Sequence, residues 1–451
     1  MSIEYTLAEI AGMVNAAGPD RADTIRVTGV STDTRTLEPG NIFFALSGDS
    51  HDGDRFVDVA FERGAAAAVT HTLHPSGPCI LHPSPLEALQ SLAAAHRVRC
   101  NAKVIAITGS CGKTTAKEMV AAVLGTKYRV LKTPGNLNND IGCPLSILRM
   151  APQTHYAVIE MGANHPGEIA RLCEMAQPNE SAVTMVAPAH LEGFGDIEGV
   201  ARAKAEIMEA LPPGGRFYVN TDDPRCREMA ERFSGEKVLF GKRGDVVLES
   251  MRFDEHGELV LSINPVGRIR LPLAVRAHSV NVLLAVAVGL CHQVGQFEEP
   301  LRAACASSVR FKVLRLFPWT ILDDTYNANP ASMAAALEAL ADFPGRRKIA
   351  VLGDMFELGR ASETLHEEVG RTAAHHEIDW LLTLGEQAET MVAAARAAGI
   401  REGEAYENHQ AVAGALLKRA EEGDVILVKG SRGMKMETVI NLLRTGQEQR
   451  K

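Results

Sequence analysis

Residues 104–115 read Val-Ile-Ala-Ile-Thr-Gly-Ser-Cys-Gly-Lys-Thr-Thr, an apolar β-branched run that enters a glycine turn and a predicted helix. This order is typical of a phosphate-binding loop, in which backbone N–H groups and a helix N-terminus face phosphate oxygens. The lysine adds a positive charge, and the hydroxyl that follows it suits a magnesium ion. The alternative is an ordinary turn with an exposed lysine. The loop residues expected to bind a nucleoside triphosphate are Gly109, Ser110, Cys111, Gly112, Lys113, Thr114 and Thr115.

This loop is a shortened variant of the common pattern G-x-x-x-x-G-K-[ST]. Ile107 stands five residues before Gly112, where the common pattern has its first glycine, and Gly109 is the nearest upstream glycine. The pattern here is therefore G-x-x-G-K-T-T.

The composition limits the possible classes of protein. A chain of 451 residues suggests about three domains at about 150 residues each. A net charge of −9 provides no basic excess for nucleic acid, so no nucleic-acid partner is expected. The eight cysteines form no C-x-x-C pair, and the first residues do not resemble a secretory signal. The apolar stretch 280–291 is too short to span a bilayer, so we expect a cytoplasmic protein without integral membrane association.

The order of predicted strands and helices indicates an α/β fold with three domains. Residues 1–97 contain mixed strands and helices, and residues 98–313 alternate strands and helices around the phosphate-binding loop, as in a parallel-sheet ATPase domain. Residues 314–451 form a second alternating unit, a Rossmann-like domain that lacks G-x-G-x-x-G. Residues 245–273 predict short antiparallel strands, which we expect to form a small appendage.

Three residues of the central region are candidates for catalytic chemistry. Glu160 ends a predicted strand, where ligands of parallel sheets gather, and it is either a magnesium ligand or a solvated carboxylate. His190 follows another strand and is either a ligand or a structural histidine. Lys204 lies on the apolar stripe of a predicted helix, so it either needs a partner or a changed charge state, or extends to the surface.

Several polar segments follow predicted strands and are candidates for substrate contacts. Residues 323–330, Asp-Asp-Thr-Tyr-Asn-Ala-Asn-Pro, are too polar and too long for a simple turn. Arg432, in the segment 429–434, could pair with a carboxylate, although this segment could equally be an ordinary turn. A glycine-containing loop spans 133–142, and the hydroxyls and arginine of 31–35 suit a phosphorylated or carboxylated substrate.

Together these segments resemble the Mur ligases of bacterial peptidoglycan synthesis. The resemblance runs in order along essentially the whole chain, and several segments in register are more specific than the loop alone. The matching segments are 31–35, 109–115, 135–142, 160–165, 189–195, 220–224, 323–330, 353–359 and 429–434.

The resemblance implies a role for each candidate residue. Glu160, His190 and Thr114 would hold magnesium, with two ions expected, and Lys204 would carry a carbamate derived from carbon dioxide. The implied catalytic residues are Lys113, His190 and Lys204. Contacts to ATP outside the loop are implied for Asn281, Arg310 and Asp324. The implied substrate contacts are Ser31, Thr32, Arg35, Asn136, Asn138, Asn139, Asn327, Asn329 and Arg432.

One departure from the family concerns the adenine contact. The family usually has histidine four residues before the adenine-contacting asparagine, whereas Ala277 occupies that spacing here and His278 is three residues before Asn281. The sequence therefore defines the adenine contacts less well than the phosphate contacts.

The resemblance also implies a reaction and its substrates. It implies ATP-dependent ligation of D-alanyl-D-alanine to UDP-N-acetylmuramoyl-tripeptide through an acyl phosphate, by a monomeric bacterial enzyme. The first domain would bind the uridine nucleotide and the third the dipeptide. The segment 323–330 argues against the ligase that adds the third residue and against folylpolyglutamate synthetase. A nucleotide-dependent switch or binding protein is the alternative class, but it has no need of Glu160, His190 and Lys204. The third residue of the peptide, diaminopimelate or lysine, is left open.

Overall fold

The computed structural model describes residues 3–48, 52–254, 258–273, 275–307 and 311–448. Its N-terminal part has a four-stranded parallel sheet in the order β3-β4-β5-β6 and an antiparallel pair, β1 with β2. The elements are β1 (Tyr5–Thr6), α1 (Leu7–Met13), β2 (Arg26–Val27), β3 (Gly29–Ser31), β4 (Asn41–Phe44), α2 (Val57–Glu62), β5 (Ala67–Thr70), β6 (Cys79–Leu81) and α3 (Pro85–Arg99).

The central part is built on a nine-stranded sheet in the order β15-β14-β13-β12-β11-β10-β7-β9-β8. Its strands are β7 (Lys103–Thr108), β8 (Val130–Lys132), β9 (Tyr156–Glu160), β10 (Glu180–Val183), β11 (Arg216–Asn220), β12 (Glu236–Gly241), β13 (Val246–Phe253), β14 (Leu259–Asn264) and β15 (Gly267–Leu271). Its helices are α4 (Lys113–Gly125), α5 (Gly142–Ile147), α6 (Glu168–Ala176), α7 (Leu191–Phe194), α8 (Ile197–Glu209), α9 (Pro224–Arg232), α10 (Ser279–Cys291) and α11 (Glu298–Ser307).

The strands between residues 246 and 271 correct one expectation, because they are not a separate appendage. β13, β14 and β15 are antiparallel to one another, as predicted, but β13 pairs with β12 through Phe240–Val246 and Gly241–Val247. Leu261, Ile263 and Ile269 are buried in the same apolar cluster as Ile105 and Ile107 of β7. Burial of this apolar face against α10 and α11 makes these strands part of the central sheet.

The C-terminal part is a six-stranded sheet in the order β16-β17-β21-β18-β19-β20, parallel except for β16. Alternate residues of β18 lie on opposite faces of the sheet. Ala350 and Leu352 pack with α12 and α13 on one face. Ile349 and Val351 pack with α15 and α16 on the other. The elements are β16 (Lys312–Leu316), β17 (Trp319–Asp324), α12 (Pro330–Asp342), β18 (Lys348–Gly353), α13 (Ser362–His375), β19 (Trp380–Leu384), α14 (Ala388–Ala397), β20 (Glu402–Tyr406), α15 (His409–Arg419), β21 (Val425–Lys429) and α16 (Glu437–Glu448). The α/β class with parallel sheets is therefore confirmed.

The N-terminal and central parts share one apolar core. Leu89, Leu92 and Ala93 of α3 belong to the same buried cluster as Cys143 and Ile147 of α5. Within the described ranges, no helix is both long and apolar enough to cross a membrane. The division of the chain at residues 97 and 313 stays a prediction.

Candidate active site at the carboxyl edge of the central sheet

The loop between β7 and α4 needs glycine at two positions. Gly109 and Gly112 have φ values of +150° and +82°. A Cβ on Gly109 would lie 1.9 Å from the Thr184 hydroxyl oxygen, and one on Gly112 would lie 2.7 Å from the Asn281 side-chain oxygen. Gly112 directly precedes the first residue of α4, so the loop leads into the helix N-terminus. Close packing on both sides therefore fixes the course of the backbone.

Replacing Gly109 with alanine is expected to destabilise this loop. The substitution forces an unfavourable φ and a clash with Thr184, which together should lower the free energy of unfolding by about 1–3 kcal/mol. Gly125→Ala is the matched control, because no atom lies within 4 Å of a Cβ at that position. Thermal unfolding and ATP binding would be measured for both variants. A Gly109→Ala protein as stable as Gly125→Ala, with unchanged ATP affinity, would contradict this account.

The charged and hydroxyl groups of the loop meet the end of the neighbouring strand. β7 pairs with β9 so that Ile107 lies opposite Glu160. Lys113 Nζ donates to the Gly109 carbonyl at 2.6 Å, and Thr114 Oγ1 donates to Glu160 Oε1 at 3.1 Å. The parallel pairing thus brings the acidic strand end beside the phosphate-binding loop, as the sequence predicted.

The Glu160 carboxylate is buried and only partly partnered. Asn138 Nδ2 donates to Oε1 at 2.8 Å, whereas Oε2 is buried without a hydrogen bond. The carboxylate and the Thr114 hydroxyl lie side by side, with the Lys117 ammonium 3.6 Å from Oε2. A carboxylate beside a hydroxyl fits a hard cation, because magnesium prefers oxygen ligands. Among the described residues, no cluster of three His, Cys, Asp or Glu side chains forms a complete protein cage. Magnesium commonly keeps waters and phosphate oxygens as its other ligands, so the donor set fits.

His190 faces the C-terminal part of the chain. It has a φ of +51° directly before α7, and its Nδ1 contacts Glu357 Oε2. Burial lowers the pKa of His190, although the Glu357 carboxylate acts in the opposite direction. A neutral ring that donates from Nδ1 to Glu357 leaves Nε2 as an acceptor, the arrangement usual for a metal-binding histidine.

Lys204 lies on the buried face of α8 and does not extend to the surface. Only 2% of the residue is exposed, and Nζ lies 5.8 Å from the centre of the Phe194 ring. Burial, with a further contribution from the positive charge of Lys113, lowers the pKa of Lys204 to about 7. A fraction of the amine is therefore neutral and nucleophilic near pH 7, which fits reaction with carbon dioxide.

The end of β17 and the end of β21 meet over the phosphate-binding loop. Lys429 Nζ donates to Asp324 Oδ2 at 2.5 Å and to the Asn327 carbonyl at 2.8 Å. Asn329 Nδ2 donates to the Ser110 carbonyl at 3.3 Å, and Cys111 Sγ contacts Asn329 Oδ1 at 3.1 Å. The C-terminal part therefore contacts the loop directly.

A cavity of about 710 Å³ brings most of the candidate residues together. Ala277 and His278 also line it, on the side of Asn281. The candidate residues that line it are Ser110, Cys111, Gly112, Lys113, Thr114, Thr115, Asn136, Asn138, Asn139, Glu160, His190, Asn281, Asp324, Asn327, Asn329 and Arg432.

Five candidates lie outside this lining, and one cannot be placed. Gly109 is part of the loop and Lys204 lies on α8, whereas Ser31, Thr32 and Arg35 are in the N-terminal sheet region. The Arg35 side chain is bound to Asp33 at 2.6 Å, and Arg432 NH1 donates to Glu437 at 3.2 Å. Arg310 lies outside the described residues.

Several residues that support the loop and the neighbouring strand ends were not predicted from the sequence. Thr184 Oγ1 donates to the Cys111 carbonyl at 2.5 Å, and Asp223 Oδ2 accepts from the Val186 N–H at 2.7 Å. Lys117, one helical turn after Lys113, is wholly buried beside Glu160. A lysine on the apolar side of a predicted helix was the available signal for Lys117, as it was for Lys204.

Three family matches cover most of the chain. Residues 26–97 match the Mur ligase family, catalytic domain; residues 107–289 match the Mur ligase middle domain; and residues 309–432 match the Mur ligase glutamate ligase domain.

Named relatives match this chain over nearly its whole length. The chain is 38% identical over 455 residues to the UDP-N-acetylmuramoyl-tripeptide–D-alanyl-D-alanine ligase of Escherichia coli K12, covering 98% of this chain and 99% of that one. A crystal structure of MurF from Acinetobacter baumannii superposes with a TM-score of 0.88 at 30% identity, covering 98% and 99% of the two chains. MurF from Thermotoga maritima in complex with ADP gives a TM-score of 0.82 at 30% identity over 94% and 98%. This protein belongs to the Mur ligase family.

Proposed function

We propose that this protein joins D-alanyl-D-alanine to UDP-N-acetylmuramoyl-tripeptide with the cleavage of ATP to ADP and phosphate. The full-length similarity to the Escherichia coli ligase of that name carries the proposal. The cavity supports it, because a phosphate-binding loop, a buried carboxylate and the polar ends of β17 and β21 share one lining. A reaction that couples a triphosphate to a carboxylate and an amine needs all three in one place.

The reaction proceeds through an activated acid. The carboxylate of the tripeptide attacks the γ-phosphorus of ATP, and ADP leaves with the β–γ bridging oxygen, giving an acyl phosphate. The amine of D-alanyl-D-alanine then attacks the acyl carbon, loses a proton, and displaces inorganic phosphate as the amide forms. Loop N–H groups and Lys113 stabilise the charge that develops on the phosphoryl oxygens.

Magnesium would be held by Glu160, Thr114 and His190. When bound, the ion neutralises charge on the triphosphate and on the attacking carboxylate. Glu160 is suited to this role by a buried carboxylate whose Oε2 accepts no hydrogen bond, and His190 by the orientation that Glu357 gives its ring. Two ions are expected, one of them on the nucleotide side with Thr114.

Lys204 would support the second ion as a carbamate. The neutral amine would add to the carbon of carbon dioxide and release a proton, giving a carbamate anion that would help to hold the ion. The position of Lys204 on the buried face of α8, near the charge of Lys113, supports this assignment.

The substrates would be divided among the three parts of the chain. Ser31, Thr32 and Arg35 would bind the uridine nucleotide in the part expected to span 1–97. Asn136, Asn138 and Asn139 line the cavity beside Glu160 and would contact the peptide, while Asn327, Asn329 and Arg432 would contact the dipeptide from residues 314–451. Asn281, Asp324 and Arg310 would contact ATP. The monomeric state and the bacterial cytoplasmic location stay predictions.

A product assay tests the ligase directly. Purified protein is incubated with magnesium, ATP and D-alanyl-D-alanine, and with the diaminopimelate or the lysine form of UDP-N-acetylmuramoyl-tripeptide. We expect one equivalent each of ADP, phosphate and pentapeptide product, with the more rapid turnover identifying the third residue. Nucleotide release should require both substrates, because the acyl phosphate needs its amine acceptor.

Two outcomes would overturn this proposal. Full ATP turnover without D-alanyl-D-alanine would favour a nucleotide-dependent switch, which uses the same loop without an acceptor. Ligation with a free amino acid in place of the dipeptide, and not with the dipeptide, would favour the ligase that adds the third residue.

A further inference from the structure

Lys117 is a buried cation for which the proposed reaction gives no role. It lies on α4, one turn after Lys113, and its side chain is 0% exposed. A charged ammonium in the interior is costly unless its N–H groups are all partnered. The partners of Lys117 therefore indicate what it stabilises.

The Lys117 ammonium reaches two carbonyls and two carboxylates. Nζ donates to the Thr133 carbonyl at 2.8 Å and to the Gly135 carbonyl at 2.9 Å. Glu118 Oε1 lies 3.2 Å away and Glu160 Oε2 lies 3.6 Å away. An ammonium has three protons, so two bind the carbonyls and the third faces the carboxylates.

Both carbonyls belong to the segment 133–139, which lies against Glu160. Thr133 Oγ1 accepts from the Glu160 N–H at 2.9 Å. Asn138, further along, donates from its side chain to Glu160 Oε1 and accepts at its carbonyl from the Gly162 N–H at 2.8 Å. Lys117 thus joins the phosphate-loop helix, the segment 133–139 and the carboxylate in one connected set.

We propose that Lys117 is a positioning residue that fixes Glu160 and the segment 133–139 for binding of magnesium with ATP. The inference rests on the proposed function for its choice of ligand. Lys117 itself does not line the cavity, so it acts through Glu160 and Asn138 rather than by contact with nucleotide.

The positioning role and a purely electrostatic role predict opposite changes in magnesium affinity when Lys117 is removed. If Lys117 only contributed positive charge near Glu160, removing it would strengthen magnesium binding, because a competing cation would be lost. If it positions the site, removing it takes the Lys117 donor from the buried Thr133 carbonyl and from the more exposed Gly135 carbonyl, and releases Glu160 from its place. Magnesium binding would then weaken.

The test compares Lys117→Met with the natural protein by calorimetric titration of the ATP analogue AMP-PNP, with and without magnesium. We expect the magnesium-dependent gain in affinity to fall by about 10–100-fold, the usual cost of losing an outer partner of a metal ligand. Affinity without magnesium should change little. Amide hydrogen exchange of peptides that cover 133–142 should become faster.

Lys132→Met is the matched control. Lys132 contacts the same Glu118 but is about half exposed and does not reach the 133–135 carbonyls. It should bind magnesium with AMP-PNP like the natural protein. If Lys117→Met does not fold, Lys117→Gln keeps a donor for one carbonyl, and an intermediate loss is expected.

An unchanged or tighter magnesium-dependent affinity in Lys117→Met, with unchanged exchange of 133–142, would overturn the inference. Magnesium-dependent AMP-PNP binding by Lys117→Gln equal to that of the natural protein would also overturn it. Because these measurements need neither peptide substrate, they separate the inference from the proposed function. A natural protein that binds magnesium with AMP-PNP but ligates nothing would count only against the ligase.

Discussion

Lys204→Ala is expected to lower kcat for ligation by about 10²-fold, because it removes the group that the proposed reaction uses as a carbamate anion. The effect should fall on kcat more than on the KM for ATP, since Lys204 is buried and outside the cavity lining. Initial rates of ADP formation with both substrates present measure it.

The proposed carbamate makes this loss reversible in a way that simple structural damage is not. Acetate or formate can occupy the space left by the shortened side chain and supply a carboxylate, so part of the lost rate should return on addition. In the natural protein, ¹³C-labelled bicarbonate should give a carbamate resonance in the ¹³C spectrum that Lys204→Met lacks. This second variant keeps most of the side-chain volume.

Lys103→Ala serves as the control, because Lys103 is exposed at the start of β7. It should ligate at the natural rate and show no response to acetate. Unchanged ligation by Lys204→Ala would disprove the role of Lys204. A loss without rescue and without a carbamate resonance would leave Lys204 as a buried amine that supports packing alone.

Local patterns predicted the parts of the site that depend on neighbouring residues or on strand order. The turn at Gly109 and Gly112 followed from residue type, because left-handed φ values favour glycine. The meeting of Glu160 with the loop followed from the rule that parallel strands bring their carboxyl ends to one edge, and Ile107 does pair with Glu160.

Contacts that depend on distant packing could not be predicted. Lys117 is partnered by carbonyls 16 and 18 residues away, whose positions depend on the fold of the segment 133–139. Glu357 reaches His190 across 167 residues, and nothing in the local sequence marks this contact. The error over 245–273 has the same origin: alternation identified the strands, but their pairing with the central sheet is set by the apolar face that they bury.

Lys113→Met should cause the largest loss, about 10³-fold in kcat/KM, because this lysine is the cation of the phosphate-binding loop. Its Nζ now binds the Gly109 carbonyl at 2.6 Å, which holds the side chain along the loop where phosphate oxygens would lie. Lys237→Met, an exposed lysine on β12, is the control and should retain full activity. Activity of Lys113→Met within a few-fold of that control would exclude phosphate binding by this loop.

A double-mutant cycle with Lys204→Ala gives the sharper result. The two lysines interact electrostatically, since the charge of Lys113 contributes to the lowered pKa of Lys204. If both act on one phosphoryl group, the double variant should lose far less than the product of the single losses, because residues that act as a unit are not additive. About 10³–10⁴-fold is expected, against about 10⁵-fold for independent sites. A fully multiplicative loss would mean that the two lysines contribute independently and do not act as a unit on one phosphoryl group.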